Sequence, residues 1–167
     1  KIMATITLKG TEFNTNGTLP KVGAKAPNFL LTASDLSHKS LSDFAGKKII
    51  LNIFPSIDTS TCATSVRTFN KNAEELDNTV VICISRDLPF SQSRFCGAEG
   101  IENVVLLSDF ATGDFGKDYG LEIINGPLKH LHSRAIVMID EKGFINYTEQ
   151  VSEIVDEPNY VAALKEI

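Results

Sequence analysis

No stretch of this sequence approaches the roughly 20 consecutive apolar residues that a membrane-crossing helix needs, so no transmembrane anchor is expected. Basic charge is short as well: 16 Lys and Arg stand against 21 Asp and Glu, a formal net charge of −5. That balance speaks against nucleic acid or an anionic membrane as the main partner. Cysteine is sparse, with 3 in 167 residues, far below the density of a disulfide scaffold. Its odd count leaves at least one thiol free or paired between chains. Cys62, Cys83 and Cys96 stand 21 and 13 positions apart, and no Cys-x-x-Cys occurs, which disfavours a dithiol–disulfide exchanger. The 3 His (His38, His130, His132) do not fall at ligand spacing with these cysteines, so no metal is expected. The opening Lys1-Ile2-Met3-Ala4-Thr5 lacks the apolar core of a secretory signal. Residue 1 is not Met, which leaves a processed N-terminus open. Internal repeats, low-complexity tracts and linkers are absent too.

What remains is the composition of an ordinary globular chain, 43% hydrophobic and 22% charged, long enough at 167 residues to bury a core without staples. One domain over residues 1–167 is expected, with residues 1–20 as a hairpin and connector. Residues 4–8 and 11–13 flank Lys9-Gly10 as a turn. Residues 28–32 read as a strand, and 42–46 as a short helical turn stopped by glycine. From residue 48 strand and helix alternate. Residues 48–54 form a buried strand; in 62–77, Cys62, Val66, Phe69, Ala73 and Leu76 recur at steps of four and three, one face of a helix. Residues 79–85 are an apolar, β-branched central strand. A helix over about 89–99, a strand over 103–107 and a helix over 110–119 closing at Gly120 follow. Residues 134–140 and 144–150 flank a turn at Glu141-Lys142-Gly143, and Glu157-Pro158 opens a last helix to Ile167. This order predicts an α/β fold, a mixed sheet with helices on its faces.

Cys62 carries the most chemical information. It follows the strand and the run Pro55-Ser56-Ile57-Asp58-Thr59-Ser60-Thr61, and it stands where a helix begins. Unpaired backbone N–H groups and the positive end of the helix dipole point at such a place and favour a thiolate, the nucleophilic form. The alternative is a cysteine that merely packs. Against it, Asp58, Thr59, Ser60 and Thr61 place four capping or hydroxyl residues beside one sulfur, where a cap needs one. An ordinary thiol is only a few per cent ionised at pH 7, and making it mostly thiolate takes roughly 2.7 kcal/mol. A helix terminus supplies about 0.3–1 kcal/mol, and ~2 when partly buried. A nearby cation is therefore required, and fast chemistry also needs donors aimed at a leaving oxygen. Cys83, in the middle of 79–85, reads as a small buried hydrophobe. Cys96, in Arg94-Phe95-Cys96-Gly97-Ala98-Glu99-Gly100, is either a structural thiol or one set on a flexible segment so that it can move toward a partner.

Pro55-x-x-x-Thr59-x-x-Cys62 resembles the active-site signature of peroxiredoxins. The wider string from Asn52 to Asn70 is similar to that of the bacterial thiol peroxidase subfamily, the atypical two-cysteine peroxiredoxins. The block from Asp87 to Ile101 resembles the surroundings of that subfamily's resolving cysteine. Ser133-Arg134-Ala135 before Ile136–Asp140 resembles its arginine block, and Glu157-Pro158-Asn159-Tyr160 its C-terminal helix. Essentially the whole chain is covered.

The resemblance implies a thioredoxin fold of peroxiredoxin type with an N-terminal β-hairpin extension. It also implies roles. Cys62 is expected to be the peroxidatic thiolate that becomes a sulfenic acid. Cys96, 34 positions on, is expected to condense with it to an intramolecular disulfide that thioredoxin reduces. Thr59 is expected to hydrogen-bond the sulfur and the peroxide, Arg134 to supply the cation, and Pro55 to shield the sulfur. Arg67, roughly 140° round the helix from Cys62, is expected in a surface ion pair; Ser60 and Thr61 count as filler, and Cys83 receives no role. The Gly-Gly-Leu-Gly and C-terminal Tyr-Phe elements of overoxidation-sensitive relatives are absent. No cofactor is expected, electrons coming from thioredoxin and ultimately from NADPH through its reductase. A homodimer is expected, in the cytoplasm, with the periplasm as the alternative. The expected activity is reduction of hydrogen peroxide and organic hydroperoxides; the alternative is a peroxide sensor or relay that passes its disulfide to a partner protein.

Overall fold

In the computed structural model, which describes residues 2–167, the chain opens with an antiparallel hairpin of β1 (Thr5–Leu8) and β2 (Thr11–Asn14). Lys9 and Gly10 turn it with φ of 51° and 83°. Two adjoining positive φ values match the right-handed twist of the strands they join, and glycine accepts one without steric cost. Next come β3 (Leu30–Thr32), β4 (His38–Ser40) and a 3-10 turn over Leu41–Phe44. The alternating part comprises β5 (Lys48–Ile53), α1 (Ser60–Ala73), β6 (Thr79–Ser85), α2 (Pro89–Glu99) and β7 (Val105–Ser108). After α3 (Asp114–Asp118), β8 (Ala135–Ile139) and β9 (Ile145–Gln150), the chain ends in α4 (Tyr160–Leu164).

Seven strands form one mixed sheet in the order β4-β3-β7-β6-β5-β8-β9. β5, β6 and β7 run parallel at its centre, while β8 is antiparallel to β5. Period-two alternation sorts the central strands onto two faces. Ile49, Leu51 and Ile53, with Ile82, Ile84, Val137 and Ile139, pack against Phe29, Phe115 and Tyr119. Ile50, Val81, Cys83, Ile136 and Met138 face the other way, against Val66 and Phe69 of α1, Phe95 of α2 and Ala163 of α4. A third, smaller cluster joins Ile6 and Phe13 of the hairpin to Ile123 and Ile154. No helix is long and apolar enough to cross a membrane among the described residues.

Besides shifted ends, such as α1 stopping at Ala73 rather than 77 and β7 starting at Val105 rather than 103, three elements differ from the sequence reading. The expected helix over 110–119 shrinks to α3, because Gly113 at φ 73° is its N-cap and residues 110–113 form a turn. The last helix covers only 160–164: Pro158 precedes the N-cap Asn159, whose side chain accepts from the Ala162 amide at 3.0 Å. β4 has no counterpart in the reading.

Candidate active site

The topology brings three distant segments to one rim. The parallel strands β5 and β6 end at Ile53 and Ser85, and the antiparallel β8 starts at Ala135, directly opposite Ile53. Residues 54–59, 86–88 and 133–134 therefore meet beyond the carboxyl ends of the parallel strands, where α/β sheets place their chemistry. Asp87 fixes the first of these segments. Its carboxylate accepts the Ser56 hydroxyl at 2.7 Å, the Ile57 amide at 2.7 Å and the Ser85 hydroxyl at 2.6 Å. Hydrogen bonds to a charged acceptor are the strong ones, so the loop leading to Cys62 is held by a side chain from the neighbouring strand's end.

That loop delivers Cys62 into the first turn of α1. Thr59 is the N-cap, with extended φ and ψ of −95° and 146°, and the first helical bond runs from the Ala63 amide to the Thr59 carbonyl at 3.0 Å. The Thr59 side chain does not cap the helix, so first-turn N–H groups point outward without a side-chain acceptor. Ser65, fully buried, donates to the Cys62 carbonyl at 2.8 Å and receives a bond from Asn52 at 3.2 Å, tying the turn to β5.

Arg134 immediately precedes β8, and alternation puts it on the Ile136 and Met138 face, beneath α1. It is 2% exposed and Cys62 is 0% exposed. Its Nη2 lies 3.4 Å from the Cys62 sulfur. Nε and Nη2 donate to the Ile154 carbonyl at 3.0 and 2.9 Å, while Nη1 is buried without a partner. No carboxylate forms an ion pair with Arg134 among the described residues. A guanidinium stays protonated in proteins, and a buried charge without a counter-charge is costly. The sulfur is the side-chain group that meets this charge, and the cation that the helix position of Cys62 called for is present.

Other site residues depart from expectation. The Thr59 hydroxyl meets the Ser56 carbonyl at 3.1 Å rather than the sulfur, whose contact is Arg134. Thr59 itself is exposed, at the rim, whereas Pro55 of the same loop is buried. Thr61, read as filler, donates to the Val155 carbonyl at 2.8 Å. That bond is one of several to a segment that sequence reasoning missed altogether, residues 151–155. The Val151 amide bonds the Arg134 carbonyl at 3.0 Å, and the Ile154 carbonyl holds its guanidinium. This segment is clasped in turn by the hairpin. The Thr7 amide donates to Ser152 and its carbonyl accepts from Ile154, at 2.8 and 2.9 Å. Glu153 takes the Thr7 hydroxyl at 2.6 Å and the Lys9 amide at 2.7 Å.

The three cysteines are free thiols. Cys83 is fully buried on β6, its thiol pushed up to about 12 by burial, and Asn52 donates to its sulfur at 3.6 Å. It is the packed hydrophobe the sequence suggested. Cys96 is half-buried on α2, and burial pushes its thiol up as well. It lines a groove with Ala33, Ser34, Ile101, Val105 and Leu106. That groove lies at β7, whereas the Cys62 sulfur lies against Arg134 at the start of β8, three strands away in the sheet order. Arg67 forms the expected surface pair, its Nε and Nη2 donating to Glu99 at 2.8 and 3.0 Å. Among the described residues, no three His, Cys, Asp or Glu side chains cluster so as to hold a metal ion.

Similarity to known proteins runs the length of the chain. It is 56% identical over 162 residues to the thiol peroxidases of Mycobacterium bovis and Mycobacterium tuberculosis, covering 97% of this chain and 97% of each relative. A crystal structure of a peroxiredoxin-like protein from Aquifex aeolicus matches with a TM-score of 0.92 at 36% identity, over 99% of this chain and 96% of the other. A thiol peroxidase from Chromobacterium violaceum shares the fold, with a TM-score of 0.89 at 24% identity over 96% and 94%. The Redoxin family model matches residues 21–164, and with its thioredoxin-like peroxiredoxin fold this chain belongs to the Redoxin family.

Proposed function

We infer that this protein is a thiol peroxidase that reduces hydrogen peroxide and organic hydroperoxides through Cys62. The observation that carries this reading is the buried guanidinium of Arg134, 3.4 Å from the sulfur, without a carboxylate partner and with Nη1 unoccupied. The thiolate attacks one peroxide oxygen, the O–O bond breaks, and Cys62 becomes a sulfenic acid while the second oxygen leaves as alkoxide or hydroxide and takes a proton. Negative charge grows on that leaving oxygen, and Nη1 is the donor positioned to receive it. Thr59, at the rim, orients the incoming peroxide, and Pro55 keeps water from the sulfur's far side. Cys96 then supplies its thiol: an S–S bond forms, the S–O bond breaks, and water departs with the thiol proton. A dithiol of the thioredoxin class reduces the disulfide by exchange. No cofactor takes part. The protein works as a homodimer in the cytoplasm, where such a reductant is supplied.

Peroxide-dependent NADPH consumption with thioredoxin and its reductase tests the reading. Turnover is expected from the native protein and none from Cys62→Ser. Cys96→Ser is expected to consume one equivalent of peroxide and stop. Negligible consumption by the native protein would leave a relay that passes its disulfide elsewhere.

A further inference from the structure

Two buried titratable side chains have no part in the chemistry at Cys62. His132 is 0% exposed and Asp109 3% exposed. His132 Nε2 meets Asp109 Oδ2 at 2.8 Å, while Nδ1 is buried without a partner. An ionised carboxylate only accepts, so Nε2 carries the hydrogen of this bond. The ring otherwise packs, 5.7 Å from the Phe115 ring and directly on Gly116, where a Cβ would stand 2.7 Å from its Cδ2.

Asp109 directly follows β7, and His132 precedes β8 by three residues, at the rim that carries Cys62 and Arg134. The chain changes faces within two residues. The His132 ring lies against Phe115, in the cluster with Ile49 and Leu51, whereas Arg134 reaches Cys62 in the opposite cluster. Ser133 between them is fully buried, its hydroxyl accepting from Gln150 at 3.0 Å.

Two tethers of this segment converge on Asp109. One is the His132 bond. The other runs through the backbone: the Ser133 amide donates to the Leu121 carbonyl at 2.9 Å, the Leu121 amide to the Gly116 carbonyl at 2.8 Å, and the Gly116 amide to Asp109 Oδ2 at 3.1 Å. The Asp109 carboxylate also takes the Phe115 amide at 3.3 Å, and its own amide donates to the Ser85 carbonyl at 2.9 Å.

We propose that Asp109 and His132 are a positioning pair for Arg134, setting how its guanidinium meets the Cys62 sulfur and the leaving oxygen. This rests on the roles of Cys62 and Arg134 given above. Neither side chain bonds the sulfur or the guanidinium. A buried ion pair adds little net stability; what this one supplies is a fixed course for residues 132–134. Misplacing a reacting group by about 1 Å costs about 10² in rate, so a small shift of that course is felt at the sulfur.

Peroxide competition for a limiting dose, and iodoacetamide alkylation of Cys62 across pH, test the pair, with near-UV circular dichroism as the check of folding. Asp109→Asn and His132→Leu are each expected to slow sulfenic acid formation about tenfold. Each should also move the alkylation profile to higher pH, because the thiolate loses part of its cation. His132→Gln returns an N–H donor near the place of Nε2 and should recover to within about threefold of the native rate. Added to Arg134→Met, Asp109→Asn should slow the reaction no further. A loss of stability alone would leave the alkylation profile of the folded molecules unmoved. Rates within about twofold of native and an unmoved profile in the folded variants, or an equal further loss in the Arg134→Met background, would overturn the pair. Should both variants fail to fold, Gly116→Ala keeps both groups and displaces the ring, and an unchanged rate there would overturn the pair as well. A native protein whose Cys62 neither consumes peroxide nor alkylates faster than an ordinary thiol at pH 7 would instead overturn the reading of Cys62 and Arg134 itself.

Discussion

Replacing Arg134 by Met removes the charge while keeping a long stem in the same buried slot. At the observed 3.4 Å, the Coulomb attraction between guanidinium and thiolate is roughly 5 kcal/mol at an effective dielectric of 20. Desolvation of both ions offsets much of that. The open Nη1 contributes separately, because removing one donor from a developing oxyanion costs about 10²–10³ in rate. Stability should change little. The Ile154 carbonyl loses its donors, a cost of about 1–3 kcal/mol, but the desolvation cost of burying the guanidinium disappears with them. The expected result is a fall of at least about 10² in the second-order rate constant with peroxide, read by competition for a limiting dose. Arg134→Lys keeps a charge without the fork that reaches both Ile154 and the sulfur, and should recover only part of the loss. Measuring iodoacetamide alkylation across pH separates thiolate loss from loss of transition-state stabilisation. A folded Met variant reacting within threefold of the native rate would refute the role given to Arg134.

Asp87→Asn should slow peroxide reduction by about tenfold or more, because one amide cannot accept from both hydroxyls and the Ile57 amide, and bonds to a charged acceptor contribute about 1.5–3 kcal/mol; Pro55→Gly rates in the same assay give the scale for a loosened loop. Cys83→Ala should leave turnover unchanged and lower stability by about 1 kcal/mol in a denaturant titration. With its thiol pushed up to about 12, native Cys83 should resist alkylation at pH 8 while Cys62 reacts. Bonds from Thr7 and the Lys9 amide hold the Glu153 carboxyl below its ordinary 4.5. A depressed carboxyl stabilises the fold fully above the unfolded value and loses that contribution as pH falls through the folded one. Amide-exchange protection of the hairpin should therefore differ between native protein and Glu153→Gln by a constant amount above pH 4.5, and the difference should close below it.

Where local chemistry decides an element, the sequence was a good guide. β6 and α2 fall at residues 79–85 and 89–99 as read, since a β-branched run and a Pro-first, Gly-stopped helix leave little choice. β4 escaped because His38, Lys39 and Ser40 have no apolar pattern, and only pairing with β3 makes them a strand. For the site, the need for a cation beside Cys62 followed from thiol energetics, but no local spacing points from position 62 to position 134. The family resemblance bridged that gap, and the antiparallel register of Ala135 on Ile53 explains it. Asp87 and the 151–155 segment act through contacts across the fold, which periodicity cannot register. A resting Thr59 hydroxyl turned to Ser56 depends on one rotamer and had no sequence signal at all.

The hairpin lies outside the span matched by the family model, which begins at residue 21, yet the path from it to the guanidinium beside the reacting sulfur has only two links. Thr7 holds Ile154, and Ile154 holds Arg134. The N-terminus is thus the end at which to leave this protein alone: a fused tag or short deletion there is a remote handle on the guanidinium. An assay of a shortened chain would report a damaged active site with every residue of that site still in place.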